Sequence, residues 1–110
     1  MFRVIAAVAC LITAPALAEE TSSRRALLIG VSGYGYDDGW SNLHSGRDIE
    51  LLAAALQSLD FAAVTVLANT DATRGGIVAG IESLIDASQP GDHVLLHYSG
   101  HGQQIVDDNG

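Results

Sequence analysis

Three histidines, His93, His97 and His101, recur four residues apart in the segment HVLLHYSGHGQQ. On a helix that spacing would stack the imidazoles on one face and offer a ligand set for a transition metal. The neighbouring residues deny the helix. Pro90-Gly91 precedes the segment, Gly100 interrupts it, and VLLHY has the composition of a strand. Along a strand four residues span ~13 Å. His93 and His97 cannot then share one ion, whose bonds to nitrogen are only about 2 Å long. A three-histidine zinc site fails on geometry. His93 reads as the solvated start of a strand and His97 as a ring packed against a helix. His101 is different, because it lies past the strand between Gly100 and Gly102. Flanking glycines let the backbone turn sharply and leave the imidazole uncrowded by adjacent side chains. A histidine displayed in this way is a candidate general acid or base.

Two other stretches compete for chemistry. Gly30, Gly33 and Gly35 follow an apolar run, as the glycines of a dinucleotide-binding loop do. In such a loop a helix must begin at once, so that its N-terminus meets the phosphates. Here Tyr34, Tyr36, Asp37, Asp38 and Trp40 intervene, and the aspartates would repel phosphate. Ser99 in HYSGH lacks the G-x-S-x-G frame of a nucleophile elbow.

The elements that must position these residues alternate in type. ALLIGV is an unbroken apolar run suited to a strand buried on both faces, expected over residues 25–31. SGYGYDDGWSN follows as a long loop. A helix is expected over 46–59, its apolar face formed by Ile49, Leu52, Ala53, Leu56 and Leu59, with Ser45 as N-cap and Asp48 in the first turn. A second strand is expected over 63–68. A second helix over 73–87 is capped by Thr73, presents Ile77, Ile81, Leu84 and Ile85, and stops at Pro90-Gly91. The third strand covers 92–98. Strand, helix, strand, helix, strand predicts an α/β three-layer sandwich on a parallel sheet with right-handed crossovers. A second crossover that steps back past the first strand gives the flavodoxin-like order 2-1-3. The carboxyl ends of strands one and three then open onto one crevice, where ligands bind in such sheets.

Composition bounds the setting. The chain has 110 residues, so it holds one domain at most. MFRVIAAVACLITAPALA has Arg3, an apolar run from Val4 to Ala14, and Ala16-Leu17-Ala18 as a cleavage site. Residues 1–18 therefore read as a secretory signal peptide, with 19–24 as a polar lead-in and 25–110 as the domain. The expected location is periplasmic or secreted, with no membrane association after cleavage. Loss of Arg3 takes the formal charge from −8 to −9, which argues against a nucleic-acid partner. Cys10, the only cysteine, leaves with the leader. No disulfide can then staple the remainder, so a packed core must hold it. Oligomeric state is not written in these features.

RALLIGV, RDIELLAAAL, TVLANTDATRGGIVAGI and PGDHVLLHYSGHGQQ together resemble the caspase-like cysteine peptidases, closest to metacaspases and bacterial caspase-domain proteins. The resemblance runs from Arg25 to Gly110, and HYSGHG after an apolar strand is its specific part. It implies a caspase-hemoglobinase fold, incomplete here, and a Cys/His dyad acting on a peptide or protein substrate. His101 matches the dyad histidine and Gly102 the backbone donor to the oxyanion. Asp48 and Ser99 match residues of a pocket for the arginine or lysine after which metacaspases cut, a role for which a carboxylate is suited. Asp48 at a helix N-terminus is equally explained by the helix dipole.

The nucleophilic cysteine of such enzymes lies roughly 50 residues beyond the histidine, whereas nine residues follow His101 here. The chain thus reads as the N-terminal part of the catalytic domain, unable to perform the dyad chemistry alone. No cofactor is implied. Calcium is carried only as a candidate ion at Asp107 and Asp108, since DDNG lacks the spacing of a calcium loop. The alternative function is a non-catalytic caspase-fold module acting in binding or regulation.

Overall fold

A computed structural model of the chain describes residues 21–109. The signal-peptide reading of residues 1–18 lies outside them. Five main elements follow one another in the expected order: β1 (Arg24–Gly30), α1 (Ser45–Ser58), β2 (Ala63–Ala68), α2 (Arg74–Ala87) and β3 (His93–Ser99). The strands form a parallel sheet in the order β2-β1-β3. Every element lies within one residue of its expected bounds. β1 takes in Arg24, the last residue of the expected lead-in.

β1 is central, and its apolar run is buried on both faces from Ala26 to Ile29. Alternation along the strand splits that burial between two layers. Ala26 and Leu28 pack against Ile49 and Leu56 of α1, with Leu52, Ala53, Phe61, Val64 and Leu95 around them. Leu27 faces α2, where a Cβ on Gly80 would lie 3.2 Å from its Cδ2 and 3.1 Å from Leu67 Cδ1. Gly80 thus lets α2 approach the sheet closely. Leu27 and Leu28 are fully buried, and burial of each is worth ~1.5–3 kcal/mol relative to exposure.

The helix ends differ in how well sequence placed them. Thr73 caps α2 as expected, its Oγ accepting the Gly76 N–H at 3.0 Å. Ser45 is not the N-cap of α1. His44 holds that position without a side-chain bond, and Ser45 lies buried inside the first turn. The cause is the close crossing of α1 over β1: a Cβ on Gly30 would stand 2.5 Å from Ile49 Cγ1 and 3.5 Å from the Ser45 carbonyl. Leu59 and Ile85, assigned to the apolar helix faces, are exposed, Leu59 because it lies beyond the last residue of α1.

β3 is an edge of this sheet. Val94, Leu96 and Tyr98 alternate along it and are each half exposed. They share the face of Leu27 and Ile29, which α2 covers only toward β2. The same crossing of α1 and the pairing of β1 with β3 bring the first turn of α1, the β1 loop and the end of β3 to one end of the sheet.

Candidate active site

The loop after β1 reaches over the end of β3, as the strand order requires. Gly30 pairs with Ser99, and the Val31 N–H donates to the Ser99 carbonyl at 2.9 Å. Asn69 fixes the loop where it leaves β1. Its Oδ1 accepts the N–H groups of Ser32 and Gly33, each at 2.9 Å, and lies 3.3 Å from the Ser32 hydroxyl. Asn69 does this from a left-handed backbone, φ 48°, at the end of β2, a region asparagine tolerates better than most residues. The phosphate-cradling role considered for Gly30 to Gly35 requires free N–H groups, and Asn69 already occupies two of them. Further along, the Tyr34 N–H donates to Asn42 Oδ1 at 2.9 Å, and Asp38 Oδ2 accepts the Gly35 N–H at 2.7 Å.

His101 stands under this loop, partly buried. Its Nε2 lies 2.8 Å from the Ser41 carbonyl oxygen. A carbonyl only accepts, so Nε2 must carry a proton, and the neutral ring then keeps its lone pair on Nδ1. The ring centroid is 4.8 Å from that of Tyr34 and 4.8 Å from that of Trp40. The His101 N–H donates to the Tyr34 phenol oxygen at 2.9 Å, and the Tyr98 hydroxyl donates to the His101 carbonyl at 3.0 Å. Burial pushes the Tyr98 phenol above its ordinary pKa, with the adjacent Tyr34 phenol adding to the effect. Tyr98 therefore stays a donor at neutral pH.

The expected site residues fall at this same end of the sheet. Ser99 closes β3 and is half buried. Asp48 stands in the first turn of α1, its side chain exposed. Gly102 follows His101, exposed, and a Cβ there would meet nothing within 4 Å. His93 opens β3 in solvent, while His97 pairs with Leu28 on the α1 face and is partly buried. Tyr34, Tyr36, Trp40 and Asn42 line an open cleft of about 410 Å³ in the loop beside His101. A second space of about 450 Å³ lies between α2 and the sheet, bordered by Leu27, Leu67 and Leu84, and shares no residue with the His101 cluster.

Asp107 and Asp108, the residues named for calcium, are both exposed. Asp107 turns its carboxylate onto the Asn109 N–H at 3.1 Å. Among the described residues no three acidic, histidine or cysteine side chains gather to hold a metal ion.

Sequence reading missed Tyr34, Trp40, Ser41, Asn69 and Tyr98 as parts of this site. The aromatic residues of SGYGYDDGW were visible as an unusual loop composition. Ser41 acts through its carbonyl, which every residue has, and leaves no mark in a sequence.

The caspase-domain profile matches residues 23–110. A protein named metacaspase III c from Phaeodactylum tricornutum is 28% identical over 95 residues, covering 81% of this chain and 28% of the relative. Metacaspase-1 from Pyricularia oryzae is 31% identical over 99 residues, covering 82% of this chain and 24% of the relative. The chain thus spans about a quarter of the length of these curated relatives. No solved structure matches it. No described helix is long and apolar enough to cross a membrane. With its β2-β1-β3 sheet, its His101 turn and a profile match over nearly all described residues, the chain belongs to the caspase-domain family.

Proposed function

We propose that this chain is the histidine-bearing part of an exported cysteine endopeptidase that cleaves peptide bonds after arginine or lysine. The tie between His101 Nε2 and the Ser41 carbonyl carries the reading. It leaves Nδ1 as the single basic position of the neutral ring, which is what a proton carrier in acyl transfer needs. The cysteine comes from outside residues 19–110, which contain none. Its sulfur forms a bond to the scissile carbonyl carbon, and the thiol proton passes to Nδ1. As the tetrahedral adduct collapses, the C–N bond breaks and the imidazolium returns that proton to the leaving amine. Water then hydrolyses the thioester by the reverse sequence of proton transfers. Gly102 supplies a backbone N–H to the oxyanion, and the open space around it suits that approach. Asp48 pairs with the basic side chain of the substrate and Ser99 lines the same pocket.

The full-length protein, assayed on matched peptides ending in arginine, lysine or aspartate, should cleave the first two and lose activity on thiol alkylation. Asp48→Asn should raise KM for the basic peptides selectively. N-terminal sequencing of exported material should begin at Glu19. A full-length protein inert on all three peptides would replace the peptidase reading with that of a non-catalytic caspase-fold module.

A further inference from the structure

His101 lies beyond the last residue of β3, so no strand ladder holds its backbone. Its amide and carbonyl are held instead by two phenols, from Tyr34 and Tyr98. A side chain so placed would swing freely unless the surrounding groups fixed both the backbone and the ring. Tyr34 does both at once. Its oxygen accepts the His101 N–H at 2.9 Å, and its ring packs on the imidazole at 4.8 Å with an interplanar angle of 57°. Trp40 packs on the imidazole at 4.8 Å with an angle of 34°. The Tyr34 ring also lies 6.5 Å from that of Trp40, so the three rings form one cluster.

Tyr34 is itself well placed to act as a fixed support. Its own N–H is taken by Asn42, and the two preceding N–H groups are taken by Asn69. The same arrangement explains Gly100. A Cβ there would lie 2.6 Å from the Tyr98 hydroxyl oxygen and 3.2 Å from that of Tyr34. The two phenols close over the backbone at a point where an added Cβ would displace the Tyr98 phenol.

We infer that Tyr34 is a positioning residue for His101, holding the imidazole by its ring and the backbone by its phenol oxygen, so that Nε2 stays on the Ser41 carbonyl and Nδ1 faces the reacting bond. The inference rests on the proposed peptidase reading for its catalytic consequence, but not for the geometry. Tyr34→Phe keeps the ring and removes the acceptor, whereas Tyr34→Ala removes both.

The test uses the full-length protein and two independent readouts. Long-range proton–nitrogen correlation of the His101 ring reports which nitrogen carries the proton, with no turnover required. Steady-state kinetics reports kcat and KM separately. Wild type should show a single Nε2–H tautomer. Tyr34→Ala should show a mixture, with kcat down roughly a hundredfold. KM should stay within about twofold, since the lost interaction serves the transition state and not ground-state binding. Tyr34→Phe, which keeps the packing and therefore folds, should lose about tenfold or less in kcat, the scale of one hydrogen bond.

A single Nε2–H tautomer and wild-type kcat in both variants would overturn the inference. So would a parallel change of kcat and KM with an unaltered tautomer, the pattern of a merely structural tyrosine. If the wild-type protein cleaves no peptide while its tautomer still depends on Tyr34, the positioning role stands and the peptidase reading falls.

Discussion

Asp92 and His101 flank the two ends of β3, and their surroundings are built on opposite principles. At the N-terminal end both oxygens of Asp92 are hydrogen-bonded. Its Oδ1 accepts the Ser23 N–H at 2.8 Å, its Oδ2 accepts the Gln89 N–H at 2.9 Å, and Arg25 Nε lies 3.6 Å away. The backbone N–H of Gln89, then that of Ser23, holds its pKa below the ordinary value. At the C-terminal end His101 has one ring nitrogen tied to a carbonyl and the other left for a proton. A carboxylate with both oxygens hydrogen-bonded to backbone N–H groups ties segments of the fold together. A group fixed on one side and open on the other can exchange a proton in a defined direction. If His101 acts as proposed, structure and chemistry are separated along a single strand.

The largest effect should come from removing the open group. His101→Ala in the full-length protein should cut kcat/KM by roughly 10²–10⁴-fold, the range of a general acid–base residue, with little change in thermal stability. Activity on arginyl peptides and a melting curve measure both at once, and undiminished turnover would end the dyad reading.

Gly100→Ala should come next, since its Cβ would sit 2.6 Å from the Tyr98 hydroxyl oxygen. The phenols must move apart, and a displacement on the scale of 1 Å can cost about a hundredfold in rate. Gly102→Ala, with nothing within 4 Å of its Cβ, is the matched control and should leave the fold unaltered. A melting comparison of the two alanine variants reads the difference directly.

Asn69 tests how far the site depends on its loop. Asn69→Ala loses the acceptor of two N–H groups and places alanine at φ 48°. An alanine in the left-handed region costs roughly 1–2 kcal/mol, and losing hydrogen bonds to these exposed N–H groups, which water can then solvate, adds no more than about 0.5–1.5 kcal/mol. Asn69→Gly relieves the backbone alone and should recover part of the loss. Asn69→Asp, which keeps an acceptor and tolerates this conformation, should recover most of it. Chemical denaturation of the four proteins gives the order; equal stability of the alanine and aspartate variants would remove the clamp from the account.

What the sequence revealed follows the same division. The core and element order were legible because they depend on runs and periods: ALLIGV for a strand buried on both faces, Ile49 to Leu56 for a helix face, alternation of strand and helix for the parallel sheet, whose 2-1-3 order needed the further assumption that the second crossover steps back. Thr73 was legible because capping uses a side chain at a fixed offset. Ser45 misled because its type suits a cap, while the crossing of α1 over Gly30 buries it. Asn69 fell just past the expected second strand with no role, since positive φ has no unique residue signature outside glycine. His101 was legible from its flanking glycines. Its fixation was not, because it depends on a main-chain carbonyl at Ser41 and on Tyr34, 67 residues away in sequence. Contacts made by backbone groups across long separations leave no local pattern.

The smallest effect belongs to the Asp92 end. Asp92→Asn keeps one oxygen acceptor but loses the second and the charge facing Arg25. The folded state lowers the Asp92 pKa, so its contribution is fully present above the unfolded value, about 3.9 for aspartate. It declines as pH falls through that value toward the lower folded one, because below both the two states bind the same proton. Wild type should therefore exceed Asp92→Asn in thermal midpoint at neutral pH, and the gap should narrow as the pH is taken below about 4. Peptidase activity at neutral pH should be unchanged, since Asp92 sits at the opposite end of the strand from His101. Midpoints for both proteins across an acid series, with activity at one neutral pH, complete the test. A gap that widens on acidification would reverse the sign expected of a depressed carboxylate, and a loss of turnover would show that the two ends of β3 are not independent.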